Sequence, residues 1–343
     1  CTNIIKFTPD GRKYHDFNAS RSEPNQRLAE VFGIDNAFTS VDKTLRTQFI
    51  RTTVSKIRAA TNIQERDGTS KGDWRYLRQS AIDSCNEFLS CSSHQMNLAE
   101  LVQFVTLKVS LTYLFNDATE AMKRKDCFEH IKYIGRRINE LWIESKNQVS
   151  QRSRWLDEKK LHEALRAVTT VTRITEPVFA IPGSFIEETT TPDLDPLVPK
   201  QNPMNLLLPA YETMWRAVMR CVLEVVYRND RERQQAVMSE GDGKPIETEL
   251  EGILAQYLDA LSNPEAMNDD VFWKQSATGI TAADIVKEAL RLYPPSRRIH
   301  RAFHGEFQRA DIEKLHRSAL LGQEDPLTFR PERWQHICPA ARQ

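Results

Sequence analysis

Thr281-Ala282-Ala283-Asp284-Ile285-Val286-Lys287-Glu288-Ala289-Leu290-Arg291-Leu292-Tyr293-Pro294-Pro295 carries its own start and stop signals. Thr281 can accept a bond from the first free N–H groups of a helix, and Asp284, three residues on, can return one to the threonine N–H. Pro294-Pro295 stops the helix at Tyr293, because proline lacks an N–H and disfavours helical geometry in the residue before it. Glu288 and Arg291 lie three apart and share a face. Alone they read as an exposed ion pair, worth roughly a few tenths of a kcal/mol. Phe329-Arg330-Pro331-Glu332-Arg333-Trp334, downstream, offers a second guanidinium in Arg333. A carboxylate between two arginines can be buried, since planar guanidinium forks satisfy its lone pairs. The three residues then lock a helix end to an irregular segment.

Working outward, helical signals dominate. Asn97 to Phe115 repeats apolar residues near the 3.6 period, with Asn97 as cap and Glu100 completing a capping-box pattern. Helices are also expected near Arg27 to Phe32, over Val41 to Ala60, from Trp74 onward, and over Asp126 to Asn147 and Arg152 to Thr172. Asn205 to Arg228 reads as a buried central helix, and Glu249 to Leu261 as a helix capped by Thr248. Thr175 to Pro203 reads as a surface loop. Arg298 to Phe307 and Ala310 to Leu315 read as strands. The expected fold is mainly α with minor β-sheet, in a single domain spanning 1–343.

Composition narrows the function. The 343 residues are 40% hydrophobic and 27% charged, with a mean hydropathy of -0.53, as in an ordinary soluble globular protein. Lys+Arg and Asp+Glu both number 47. No global field therefore steers the chain to nucleic acid or an anionic membrane, and local basic clusters gain no support from the total. The six cysteines form no CxxC pair and no zinc-type cluster. They read as free, reduced thiols. No apolar run approaches the roughly 20 residues of a membrane-spanning helix.

Glu288-x-x-Arg291, Tyr293-Pro294-Pro295, Arg298, Asp311-Ile312-Glu313, His316-Arg317 and Phe329-Arg330-Pro331-Glu332-Arg333-Trp334, in that order, resemble the C-terminal half of a fungal-type cytochrome P450. The resemblance implies a haem-dependent monooxygenase that places one oxygen atom of dioxygen in a small organic substrate, with electrons from a reductase and no nucleic-acid partner. It makes Glu288, Arg291 and Arg333 a structural triad supporting the haem loop. Trp74-x-x-x-Arg78 resembles the helix that contacts a haem propionate; read alone it is a core Trp with a surface Arg. Arg298 resembles a further propionate partner, with Arg297 and Arg301 as rivals. Pro209-Ala210-Tyr211-Glu212-Thr213 resembles the oxygen-activation motif, with Glu212 and Thr213 as the catalytic proton-delivering pair. Pro209 stands there in place of a small residue, so the motif also reads as a kinked core helix.

The family holds its iron by a Cys thiolate. Cys338, in His336-Ile337-Cys338-Pro339-Ala340, is the candidate that position allows. No Gly-rich loop precedes it and it lies close to Trp334, so it reads as an ordinary loop thiol. No thiolate-type absorption band is therefore expected when these 343 residues are given haem, reduced and exposed to carbon monoxide. The resemblance covers Ser40 to Trp334, with the membrane anchor and the haem-thiolate loop expected outside it. The family implies the cytosolic face of the endoplasmic reticulum. The alternative function is an inactive remnant or binding scaffold without its thiolate.

Overall fold

The computed structural model describes residues 2–6, 8, 16–61, 74–91, 95–115, 122, 124, 126–169, 194–227, 249–262, 271–322 and 324–336. These residues are mainly helical, with a two-stranded antiparallel sheet. In chain order the helices are α1 (Thr2–Ile5), α2 (Phe17–Ser22), α3 (Gln26–Phe32), α4 (Lys43–Thr61), α5 (Trp74–Cys91), α6 (Leu98–Leu114), α7 (Cys127–Glu144), α8 (Lys159–Thr169), α9 (Met204–Val222), α10 (Glu249–Ala260), α11 (Ala282–Leu292), α12 (Ile312–His316), α13 (Ala319–Gly322) and α14 (Arg333–His336). Strands β1 (Arg298–Phe303) and β2 (Glu306–Asp311) lie between α11 and α12. The chain divides into two compact units, residues 16–73 with 80–212, and residues 1–15 with 74–79 and 213–343.

The first unit is a helical core. Asn97 caps α6 by accepting from the Ala99 N–H at 2.9 Å. Glu100 does not close the expected box; it turns to Lys132 of α7 at 3.3 Å, where a cation stands within reach. The rings of Phe88, Phe104 and Phe128 join α5, α6 and α7 at centroid distances of 4.9–6.0 Å. Helices α7 and α9 approach closely at Gly135, where a Cβ would sit 2.9 Å from the Tyr211 hydroxyl oxygen. Arg137 bonds Glu140 and Glu144 on its own helix and ties α7 to the segment before α8 through Ser153 and Glu158. Gly33 ends α3 at φ 61°, beside the Trp155 ring, and both facts call for glycine. Helix α2 was not expected; six residues with a single cap at Asp16 leave little periodic signal.

Helix α9 begins on an asparagine-rich hook. Asn202 donates to the Phe32 and Gly33 carbonyls and accepts from the Met204 N–H. Pro209 lies inside the helix and cannot donate to the Asn205 carbonyl four residues back. Asn36 supplies the missing donor, its Nδ2 reaching that carbonyl at 3.1 Å. The carbonyl that the proline leaves without its helical donor is thereby met from outside the helix. Of the expected helix to Arg228, the α-helical part ends at Val222. After Val222 the backbone makes a π turn over Leu223–Tyr227. Met204, Leu207, Leu208, Tyr211 and Trp215 are buried along the helix and Val225 in the π turn, whereas Val218 and Tyr227 are exposed.

In the second unit Val225, Ile253, Ile280, Ala282 and Ile285 form a core, with Tyr257, Phe272 and Phe329 against it. Thr281 and Asp284 make the anticipated reciprocal capping box on α11. Strands β1 and β2 pair from Arg298↔Asp311 to Phe303↔Glu306. His304 (φ 53°) and Gly305 (φ 81°) turn between them, the left-handed pair that a two-residue hairpin with the right twist requires. The second strand was expected over Ala310 to Leu315. It ends instead at Asp311, whose side chain accepts from the Lys314 N–H at 2.9 Å and starts α12. Thr248, the last three residues of the helix expected to Thr172, and residues 175–193 of the expected loop lie outside the described residues.

Candidate functional site

Glu288 is fully buried, and Arg291 and Arg333 are each 2% exposed. Helix α11 turns Glu288 and Arg291 to one side, as the spacing of three dictates. Arg291 grips the carboxylate with both edges of its fork, Nη2 to Oε1 at 2.8 Å and Nε to Oε2 at 2.9 Å. Arg333, at the start of α14, donates Nε to Oε1 at 2.8 Å. Two further donors complete the shell: the Arg330 backbone N–H to Oε1 and the Trp334 indole N–H to Oε2, both at 3.0 Å. Sequence reasoning missed these two, although both residues flank Arg333 in the motif it had singled out.

Two guanidiniums against one carboxylate leave an excess positive charge inside the protein. Main-chain carbonyls meet it. Arg291 Nη1 donates to the His316 and Pro326 carbonyls at 2.9 and 2.8 Å, and its Nη2 donates to Thr328 at 3.3 Å. Arg333 Nη2 donates to the Asp325 and Thr328 carbonyls, both at 3.0 Å. The network thus staples an irregular run, 325–330, to α11 and α14. Burying such a set costs several kcal/mol per ion unless every lone pair and N–H is met, and here the carboxylate has donors on both oxygens. It holds the backbone of that run in place.

Cys221, Glu224 and Tyr293 meet nearby. The Tyr293 hydroxyl bonds Glu224 Oε1, and the Tyr293 ring lies 5.4 Å from the Arg220 guanidinium and 5.6 Å from that of Arg317. Burial, with Glu224 beside it, pushes the Cys221 thiol up to about 11.

The other candidates are placed as follows. Glu212 and Thr213 are adjacent on α9; Glu212 is 2% exposed and Thr213 half-buried. Trp74 is 44% exposed on the first turn of α5. Arg78, one turn on, reaches Asp259 of α10 at 3.8 Å. Arg298 lies 3.7 Å from Asp311 on the neighbouring strand. Of its rivals, Arg297 is held by both oxygens of Glu313, and Arg301 donates to the His300 carbonyl and has its pKa lowered by burial. The structure therefore brings Glu288, Arg291 and Arg333 together, while Arg78 and Arg298 face different carboxylates.

Haem, the group that the resemblance implies, can be tested against these residues. Its carboxylates are matched in part. Among the described residues Arg78 Nε is buried without a hydrogen-bond partner, and the cation's ion pair is long and runs to an 83% exposed aspartate. Such an arginine retains donor capacity for another carboxylate. Its iron is not matched among the described residues. Cys221 is pushed away from the thiolate form that metal binding requires. Cys85, Cys91 and Cys127 are free thiols on α5 and α7, and among the described residues no three His, Cys, Asp or Glu side chains group as a metal site. Cys338 lies outside the described residues.

Comparison with protein-family models finds no match to this chain, and comparison with curated proteins finds none either.

Proposed function

We propose that this chain carries the framework of a haem-thiolate monooxygenase of the cytochrome P450 type, acting on a small organic substrate with dioxygen and a reductase. The single observation behind this reading is the buried Glu288–Arg291–Arg333 network, closed over the run 325–330 in the order and spacing of that family's motifs. When bound, haem would supply the activation of dioxygen. The protein's own residues would do the rest. Arg78, with Trp74 a turn away, would hold a carboxylate of the group, and Arg298 a second. Glu212, buried on α9, and the Thr213 hydroxyl would move protons, since a carboxylate withdrawn from water beside a hydroxyl suits that task. Glu288, Arg291 and Arg333 would fix backbone and touch no reactant.

A second reading is a binding scaffold without its own thiolate. The raised Cys221 thiol and the engagement of Arg298 with Asp311 favour it. Titrating the full chain with haem, and following the Soret band, tests the framework common to both. Saturable one-to-one uptake is expected, weakened about tenfold in Arg78→Ala, since a charge-assisted bond is lost. Uptake that never saturates, or is indifferent to that change, refutes the framework. Reduction under carbon monoxide then separates the readings. A thiolate-type band abolished by Cys338→Ser supports the monooxygenase, and haem uptake without that band supports the scaffold.

A further inference from the structure

Helix α4 contains five cations, Lys43, Arg46, Arg51, Lys56 and Arg58, and no acidic residue. Its inward side is tied down by Phe49, which meets Phe38 edge-on at 5.9 Å, and by Ala60, which is buried. Lys56 is used there too, donating to the Leu114 carbonyl, and Arg46 lies 4.7 Å from the Phe17 ring centre. The other side is different. Ile50, Val54 and Ile57 recur at helical spacing and are 45%, 40% and 46% exposed. Lys43 stands a heptad before Ile50 on the same line, and Arg51 and Arg58 follow Ile50 and Ile57 by one residue, flanking the stripe along one edge. These three cations are exposed, and none makes an ion pair among the described residues.

β-Branched residues at exposed helix positions gain nothing from helix propensity, since a helix restricts their χ1 freedom. A contiguous exposed stripe of them calls for a covering surface. Its chemistry narrows the choice. The stripe is a convex, aliphatic helix face without Trp, Tyr or Met, unlike the aromatic, pocketed patches that dominate protein interfaces. A fluid surface needs no matching shape, and unpaired cations beside the apolar line complement anionic headgroups.

We propose that α4 docks on an anionic lipid bilayer, lying in the headgroup plane with Ile50, Val54 and Ile57 dipped into it and Lys43, Arg51 and Arg58 among the headgroups. The contact is peripheral, because no helix among the described residues is long and apolar enough to cross a membrane. It depends on this local cluster, not on net charge, which is zero.

Co-sedimentation of the full chain with vesicles tests it. One set is phosphatidylcholine alone, the other carries about 30% phosphatidylserine. Binding to the anionic set only is expected, weakening as added salt shortens the Debye length. The pair Arg51→Glu, Arg58→Glu should reduce partition about tenfold or more. Val54→Asp should do the same with an unchanged circular dichroism spectrum, which separates lost docking from lost folding. Equal partition to both vesicle sets, no partition at all, or partition untouched by either variant overturns the proposal. So does self-association that Val54→Asp abolishes, seen by light scattering in a protein that ignores vesicles.

Discussion

Glu288 accepts from two guanidiniums, an indole and a backbone N–H while fully buried. Removing it strands two buried cations with only carbonyl dipoles to face. Glu288→Ala is therefore expected to cost about 3–5 kcal/mol, the range for breaking a buried pair from one side. Glu288→Gln should cost less, since it keeps the shape and one acceptor oxygen. Urea denaturation measures both, and a wild-type midpoint for Glu288→Ala would refute the account. Arg291 and Arg333 were legible as partners, the first by helical spacing and the second by its motif. The Trp334 indole was not. Nothing in residue type says which edge of a ring will meet an oxygen once the run 325–330 has folded back onto α11.

Pro209 and Asn36 form the corresponding case among elements. The proline deprives the Asn205 carbonyl of its helical donor, and Asn36, lying between α3 and α4, replaces it. Asn36→Ala should cost about 1–3 kcal/mol, the penalty for leaving a buried acceptor unmet. In a Pro209→Ala background the helix regains its own N–H, so the same Asn36→Ala change should cost less. A double-mutant cycle by chemical denaturation checks this, and strict additivity would mean that the two residues are not coupled. Element existence was widely readable, because caps and periodicity act within four residues: α6, α11 and the Asn97 and Thr281 caps all formed as expected. Boundaries failed where a local competitor won. Asp311 is compatible with a strand, but its carboxylate captures the Lys314 N–H and turns the chain into α12. Glu100 fits a capping box, but Lys132 from α7 draws it away.

Each of the two units holds a histidine away from water, His162 buried and His316 half-buried. Burial is the main cause that holds the His162 imidazole below its ordinary value, with Arg166 adding to it. Burial does the same for His316, with Arg291 adding to it. Unfolding returns both to the ordinary range, so the unfolded chain binds more protons as pH falls through that range. Stability accordingly rises with pH in this window and is lost below about pH 6.5. The urea midpoint should be level above neutrality and should decline towards about pH 5.5. His162→Gln should flatten part of that decline, which separates it from carboxylates titrating near pH 4. An unchanged slope in that variant would remove His162 from the explanation.

By itself the sequence determined the mainly helical class, the position of most helices, the capped α11 with its proline stop, and the three charged residues that belong together. These rest on interactions between near neighbours, or on a spacing that any helix imposes. Only the tertiary structure decided that Glu288 would be buried, that backbone carbonyls would absorb the second guanidinium, that Asn36 would complete α9, and that Arg78 and Arg298 would turn to Asp259 and Asp311. It also decided that Ile50, Val54 and Ile57 of α4 would face outward. Each depends on distances between residues far apart in the chain, and packing alone sets those distances.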